Sequence, residues 1–347
     1  MGFFRNIFVR RPELKVKENC FQTQDMENLV EGVYKTIKFY EPDLKNSNKW
    51  LSDFVDVYKI NNLDKSEVFK FFALTMVFQG GDPRTYEPLK RSHLFYPEEI
   101  ESKLAKTKCE ALKSSKLLET TCIYSKKERE KIYHKDRKRK PSHICYKYDM
   151  TGSCPVKELG YDIHHMKSSA ISKGIVSAHL VAKERWDGNI NNVYFQALSC
   201  GGNTGKIARH IVYELEHVYN VNEKIANLFC RWMSNPDIVP FVNAWQRKVD
   251  WKLFVTIDKY LIRTLNRMGV APKNADDYAY IYAIREIANQ ISLKEFGFQK
   301  HNPLIIETTL RMLSKKADGV TQKKDGFCLD EPKCGECPAT NGCKKDI

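Results

Sequence analysis

Four cysteines crowded near the carboxy-terminal end constrain this chain more than any other feature. Cys328, Cys334, Cys337 and Cys343 form a C-x5-C-x2-C-x5-C pattern within sixteen residues. They converge on one small centre only if the backbone loops around it, and Pro332, Gly335, Pro338 and Gly342 supply the turns. Exposed free thiols are generally avoided, so the pattern points to a coordinated centre. Zinc sites usually set two short C-x2–4-C knuckles across a longer spacer. Here one C-x2-C pair carries two five-residue arms, which suits the four corners of a [4Fe–4S] cluster better, with zinc as the alternative. Eleven cysteines is an odd number and the others are scattered, which argues for a reducing, intracellular compartment over a secreted disulfide framework.

The rest of the chain reads as helix, and the fold class expected is all-α. Leu29, Val33, Ile37 and Tyr40 make one stripe over 26–39, and residues 67–78 are apolar nearly all round, as a central buried helix would be. Helical patterns recur over 97–106, 172–186, 206–217, 224–233, 258–268, 277–291 and 303–315. Between about 114 and 168 the periodicity fades into a Lys/Arg-dense stretch, read as an insertion or long loop. A length of 347 residues suggests about two domains. No window approaches the roughly 18 consecutive apolar residues a membrane span needs, and the short apolar, basic start is too brief for an export signal. The net charge of +14 favours an anionic partner.

Upstream of the cysteines lie two polar helix mouths. In Asn220-Val-Asn222-Glu-Lys224 a short turn leads into a helix with Ile225, Leu228, Phe229, Trp232 and Met233 on one face, which puts Lys224 on its first turn. Further on, an apolar approach ends at Asp258, an N-cap, followed by a helix with Leu261, Leu265 and Met268 inward and Gly269 as its stop.

The cysteine run resembles the cluster loop of the endonuclease III branch of the helix-hairpin-helix (HhH-GPD) DNA glycosylases, whose usual first arm is one residue longer. Lys224-Ile-Ala-Asn227 is similar to the family's helix carrying a nucleophilic lysine, and Val255-Thr-Ile-Asp258 with Arg263 and Arg267 to the stretch carrying its catalytic aspartate. The resemblance implies Lys224 as nucleophile and Asp258 as its electrostatic partner. The family's Gly-rich hairpin is replaced here by Tyr219-Asn220-Val221-Asn222; Asn is the non-glycine residue that most readily turns left-handed. Residues 235–253 look inserted between the two helices. Phe69 to Gln79 resembles the buried helix whose terminal Gln enters the space left by an everted base, and Lys173 to Lys183 the helix preceding the hairpin.

Both residue types suit the chemistry. Cleaving an N-glycosidic bond builds positive charge on the sugar, which a carboxylate stabilises. An amine that has shed its proton can attack C1′, and a helix N-terminus disfavours added positive charge. The resemblance therefore implies a base-excision glycosylase with AP lyase activity, acting as a monomer on duplex DNA that contains a damaged or mismatched base. No membrane is involved. Alternatives on the same residues are a monofunctional glycosylase and a non-catalytic DNA-binding relative. The implied domains are a helical barrel over 46–250, holding the hairpin and the basic insertion, and a cluster domain from 20–45 with 251–347. Gln79, Asn220, Asn222, Lys138, Arg139 and Lys344 are the candidate DNA contacts, with Lys138 and Arg139 in a basic run that would track phosphates without reading sequence. His143, Cys145, Cys154, His164 and His165 lack the third cysteine of a zinc finger and read as scattered.

Overall fold

The computed structural model describes residues 23–58, 64–78, 89–107, 112–121, 168–237, 245, 248–270, 276–319 and 321–344. Among these residues every regular element is helical. In chain order they are α1 Thr23–Tyr58, α2 Lys65–Val77, α3 Pro97–Lys106, α4 Ser115–Thr121, α5 Ser168–Arg185 and α6 Asn192–Ser199. Then follow α7 Thr204–Leu215, α8 Glu223–Ser234, α9 Lys259–Arg267, α10 Asp277–Gln290 and α11 Pro303–Leu313. No helix among them is long and apolar enough to cross a membrane.

Short polar caps decide where most of these helices begin. Asp64, Asn203, Asn222, Asp258, Asp276 and Asn302 each turn a side-chain oxygen back onto a first-turn amide of α2, α7, α8, α9, α10 and α11. Each such bond satisfies a donor the helix cannot, worth about 1 kcal/mol. Gly269 stops α9 at φ 69°, with Val270 N–H closing back on Leu265 O at 2.9 Å, as the sequence pattern predicts.

The buried side chains form two clusters. The first runs from Val68 to Phe254 and has α2 at its centre, buried at nine of its thirteen positions, with Phe71 and Phe72 against Phe229 of α8. The second joins Leu29, Val33, Ile37, Tyr40 and Leu44 of α1 to Val255 through Ala339. The stripe expected on α1 is thus its buried face. Trp251, in the short turn Trp251–Leu253, touches both clusters. α1 carries Pro42 inside and runs unbroken across residues 45–46, where the sequence reading set a domain boundary.

Three local expectations change. The stretch from 114 begins as helix: α4 buries Leu118 and is held by Ser115 N–H on the Glu184 carboxylate of α5 at 2.8 Å. Seven residues are too few to show a period in the sequence. The helix directly before the hairpin is α7, whereas the 173–183 segment belongs to α5, two helices earlier. Within 235–253, Trp245 is fully buried, stacked on Tyr194 with ring centres 5.2 Å apart and donating to Asn191 Oδ1 at 2.9 Å, so this part of the apparent insertion helps build the first core.

Candidate active site

The hairpin between α7 and α8 keeps its turn without glycine. Asn220 takes φ 63°, the left-handed region, and Val221 N–H returns to Val218 O at 3.0 Å. The turn is seated on α5, where Ser177 Oγ accepts the Tyr219 amide at 2.9 Å. A Cβ on Gly174 would lie 3.0 Å from Tyr219 O, so the small residue is what lets the two backbones approach. Asn222 then caps α8 by accepting Ile225 N–H at 3.1 Å, which fixes Lys224 on the first turn.

Lys224 Nζ stands 3.9 Å from Asp258 Oδ2, an ion-pair separation across the seam between the two cores. The lysine side chain is 40% exposed and the aspartate 13%, so solvent or a ligand reaches the amine first. Asp258 Oδ1 accepts the amides of Tyr260 and Leu261, both at 3.0 Å, while Oδ2 faces Arg311 Nε at 2.9 Å. That last contact is ionic rather than a well-aligned hydrogen bond. Burial pushes the Asp258 carboxyl up, but Arg311, the Leu261 and Tyr260 amides and Lys224 together hold it below the usual carboxylate range. The carboxylate is therefore charged at neutral pH despite its cover.

Behind this pair runs a chain of buried charges that the sequence reading missed. Arg311 donates to Thr256 O at 2.9 Å, to Thr256 Oγ1 at 2.8 Å and to Glu307. Glu307, with no exposed surface, also accepts Arg231 at 2.6 Å and the Thr256 hydroxyl at 2.8 Å. Signs alternate along Arg231, Glu307, Arg311, Asp258 and Lys224, so each buried charge has an opposite neighbour. Arg231 lies on α8, the helix that carries Lys224, and Glu307 and Arg311 on α11. The network thus binds α8 to α11 and α11 to the mouth of α9, and so fixes the Lys224–Asp258 separation. One signal was available in the sequence: Glu307 and Arg311 sit four apart as the only charges in a helix of apolar residues and two threonines, where charges persist only when paired.

α9 also connects this site to the cysteine loop. Arg267, its last residue, donates to Leu329 O at 2.9 Å, and the Cys343 thiol donates to Arg267 O at 3.1 Å. Cys328 is buried, its amide on Leu313 O at 2.6 Å, and Cys337 N–H folds back on Cys334 O at 3.3 Å. All four thiols are free of disulfides, and Cys334 and Cys343 lie close enough to act on the ionisation of Cys328 and Cys337. Burial first, and then the neighbouring thiols, push Cys337 up to about 11, while Cys328 is raised chiefly by burial and by Cys343. Four thiols gathered in this way, one buried and three half-buried, would suit a cationic group in whose presence they ionise. Among the described residues no three His, Cys, Asp or Glu side chains gather as a site for a single metal ion.

The structure brings Lys224 and Asp258 together and places Asn220 and Asn222, both exposed, on the same hairpin. Lys344 lies across Gly269 at the end of α9, on the far side of that helix from Asp258. Gln79, Lys138, Arg139 and the scattered His/Cys set at 143–165 lie outside the described residues. Compared with protein-family models, curated proteins and solved structures, the chain matches none.

Proposed function

We propose that this chain is a DNA glycosylase with AP lyase activity, of the two-domain helix-hairpin-helix kind, acting on damaged or mismatched bases in duplex DNA. The observation that carries this reading is the half-exposed Lys224 amine 3.9 Å from the shielded, charged Asp258 carboxylate, at the mouths of two helices on opposite sides of one seam. As positive charge grows on the sugar, Asp258 stabilises it in a site where burial strengthens the interaction. The deprotonated Lys224 nitrogen forms a bond to C1′ as the C1′–N bond to the base breaks, and the base leaves with the bonding electron pair and takes up a proton. The C1′–O4′ bond then breaks, with O4′ taking up the proton the nitrogen gives up, which opens the sugar to a Schiff base; loss of its C2′ proton expels the 3′-phosphate. Everting the base costs a few kcal/mol, less for a damaged or mispaired one.

The left-handed Asn220 turn supports a hairpin that offers backbone amides to phosphate, with Asn222 at its rim. Cys328, Cys334, Cys337 and Cys343 would hold a [4Fe–4S] cluster, with zinc the lesser alternative, and when bound it supplies structural closure of the loop that packs on α9. The chain would work as an intracellular monomer beside the DNA.

Borohydride reduction in the presence of duplex DNA carrying an abasic site tests the reading directly. Wild type should form a covalent protein–DNA adduct, and Lys224→Ala should lose it. Base release without an adduct would leave a monofunctional enzyme. Tight, salt-sensitive binding with neither adduct nor base release from oxidised, deaminated or mismatched substrates would remove catalysis altogether.

A further inference from the structure

Phe254-Val-Thr-Ile257 carries the chain from the turn Trp251–Leu253 to Asp258. Among the described residues, no amide or carbonyl of Val255, Thr256 or Ile257 bonds to another backbone group. A buried stretch without backbone pairing meets its polar groups through side chains, and here they come from both cores. Asn227, one turn beyond Lys224 on α8, donates to Val255 O at 3.4 Å. Glu307 and Arg311 of α11 supply the others, and all of those contacts fall on Thr256.

Every polar group of Thr256 is engaged. Its amide donates to Glu307 Oε2 at 3.3 Å and its hydroxyl to Glu307 Oε1 at 2.8 Å. The hydroxyl oxygen accepts from Arg311 Nη2 at 2.8 Å, and the carbonyl accepts from the same nitrogen at 2.9 Å. Thr256 is buried in a run where Phe254 and Val255, also buried, are apolar. Valine has the same branched shape, so packing in this run does not call for a hydroxyl.

The hydroxyl bridges two opposite charges, donating to one and accepting from the other. It thereby holds the Nη2 edge of Arg311 on the side of Thr256 and Glu307. With that edge held, Nε is the atom left to face Asp258 Oδ2, at 2.9 Å. Oδ2 is also the oxygen that faces Lys224 Nζ. Thr256 stands two residues before Asp258, so its held backbone sets where the carboxylate begins as well. One residue therefore fixes both partners of the Arg311–Asp258 contact, and a shift of about 1 Å in a reacting group can cost about a hundredfold in rate.

We infer that Thr256 is a positioning residue for the Asp258 carboxylate: its hydroxyl, bridging Glu307 and Arg311, keeps Oδ2 aimed at Lys224. The inference rests on the glycosylase reading, in which that pair acts on the sugar, and adds to it a residue buried behind the pair.

Single-turnover borohydride trapping on duplex DNA carrying an abasic site, with the full chain in excess, measures the rate of adduct formation, and equilibrium titration of the same duplex measures Kd. Thr256→Val should form the adduct at least about tenfold more slowly with Kd within about twofold of wild type, because a misplaced reacting group costs rate and not affinity. Thr256→Ser, which restores the hydroxyl, should recover the rate to within about threefold. Should a methyl pressed on the Glu307 carboxylate keep the valine variant from folding, Thr256→Ala removes the hydroxyl without that clash and carries the same expectation. Adduct formation at the wild-type rate in the hydroxyl-free variants would overturn the role. A rate and an affinity that fall together, unrecovered by serine, would also overturn it and leave Thr256 to packing. No adduct from wild type is a different result, which would remove the glycosylase reading and this role with it.

Discussion

Asp258 has three duties at once: it caps α9, faces Lys224 and answers Arg311. Its carboxyl is depressed in the folded state, so its contribution to stability is complete above the usual carboxylate range and is lost as pH falls through the lower folded value. Arg311 is the largest of the groups holding it down. In Arg311→Gln the largest offset to burial is gone, and the carboxyl should titrate at higher pH. The acid limb of adduct formation should then move upward, with activity falling about tenfold for each pH unit below the new limb and recovering above it. A profile lowered evenly at every pH would assign Arg311 to packing instead. The two helix mouths were legible from their Asx caps, while Lys224 and Asp258 were singled out within them only by the family resemblance. Glu307 and Arg231 were not, since only the tertiary structure shows which charges meet across α8 and α11.

At the scale of elements, local chemistry fixed nearly every long helix. Apolar periods and caps placed α3, α7, α8, α9, α10 and α11 within a few residues of where they lie. α6 escaped because eight residues, NVYFQALS, carry little polar contrast, and α4 because it is shorter still. The hairpin turns without glycine, and its backbone depends on one residue. Asn220 at φ 63° tolerates Gly but not a β-branched side chain. Asn220→Val should destabilise the chain by about 1–2 kcal/mol and weaken abasic-site binding, while Asn220→Gly should leave both near wild type. Chemical denaturation with a DNA-binding titration separates the two; equal behaviour of both variants would mean the turn has no part in holding DNA.

For the whole molecule, length suggested two domains, and the pairing of α1 with residues far along the chain came from the resemblance alone, since no local pattern records it. That pairing is tight. A Cβ on Gly342 would sit 2.5 Å from Asn28 O and 2.8 Å from Leu29 Cα, both backbone atoms that cannot step aside. Gly342→Ala should therefore loosen α1 from the cysteine loop, costing about 1–3 kcal/mol. Hydrogen exchange should report it as faster exchange in α1 and the 328–343 loop, with α2 and α8 unchanged; protection lost evenly through both clusters would argue for a single cooperative body.

The same attachment orders events during synthesis. Tyr40 donates to Asp325 O across 285 positions, and Lys323 N–H to Asp43 across 280. The cluster from Val68 to Phe254 draws only on itself and can close while translation continues. α1 leaves the ribosome before that cluster and must wait, its oily side bare, until residues 323–342 have been made. Its contacts are thus slow to form, and in that interval a holding chaperone has a clear target.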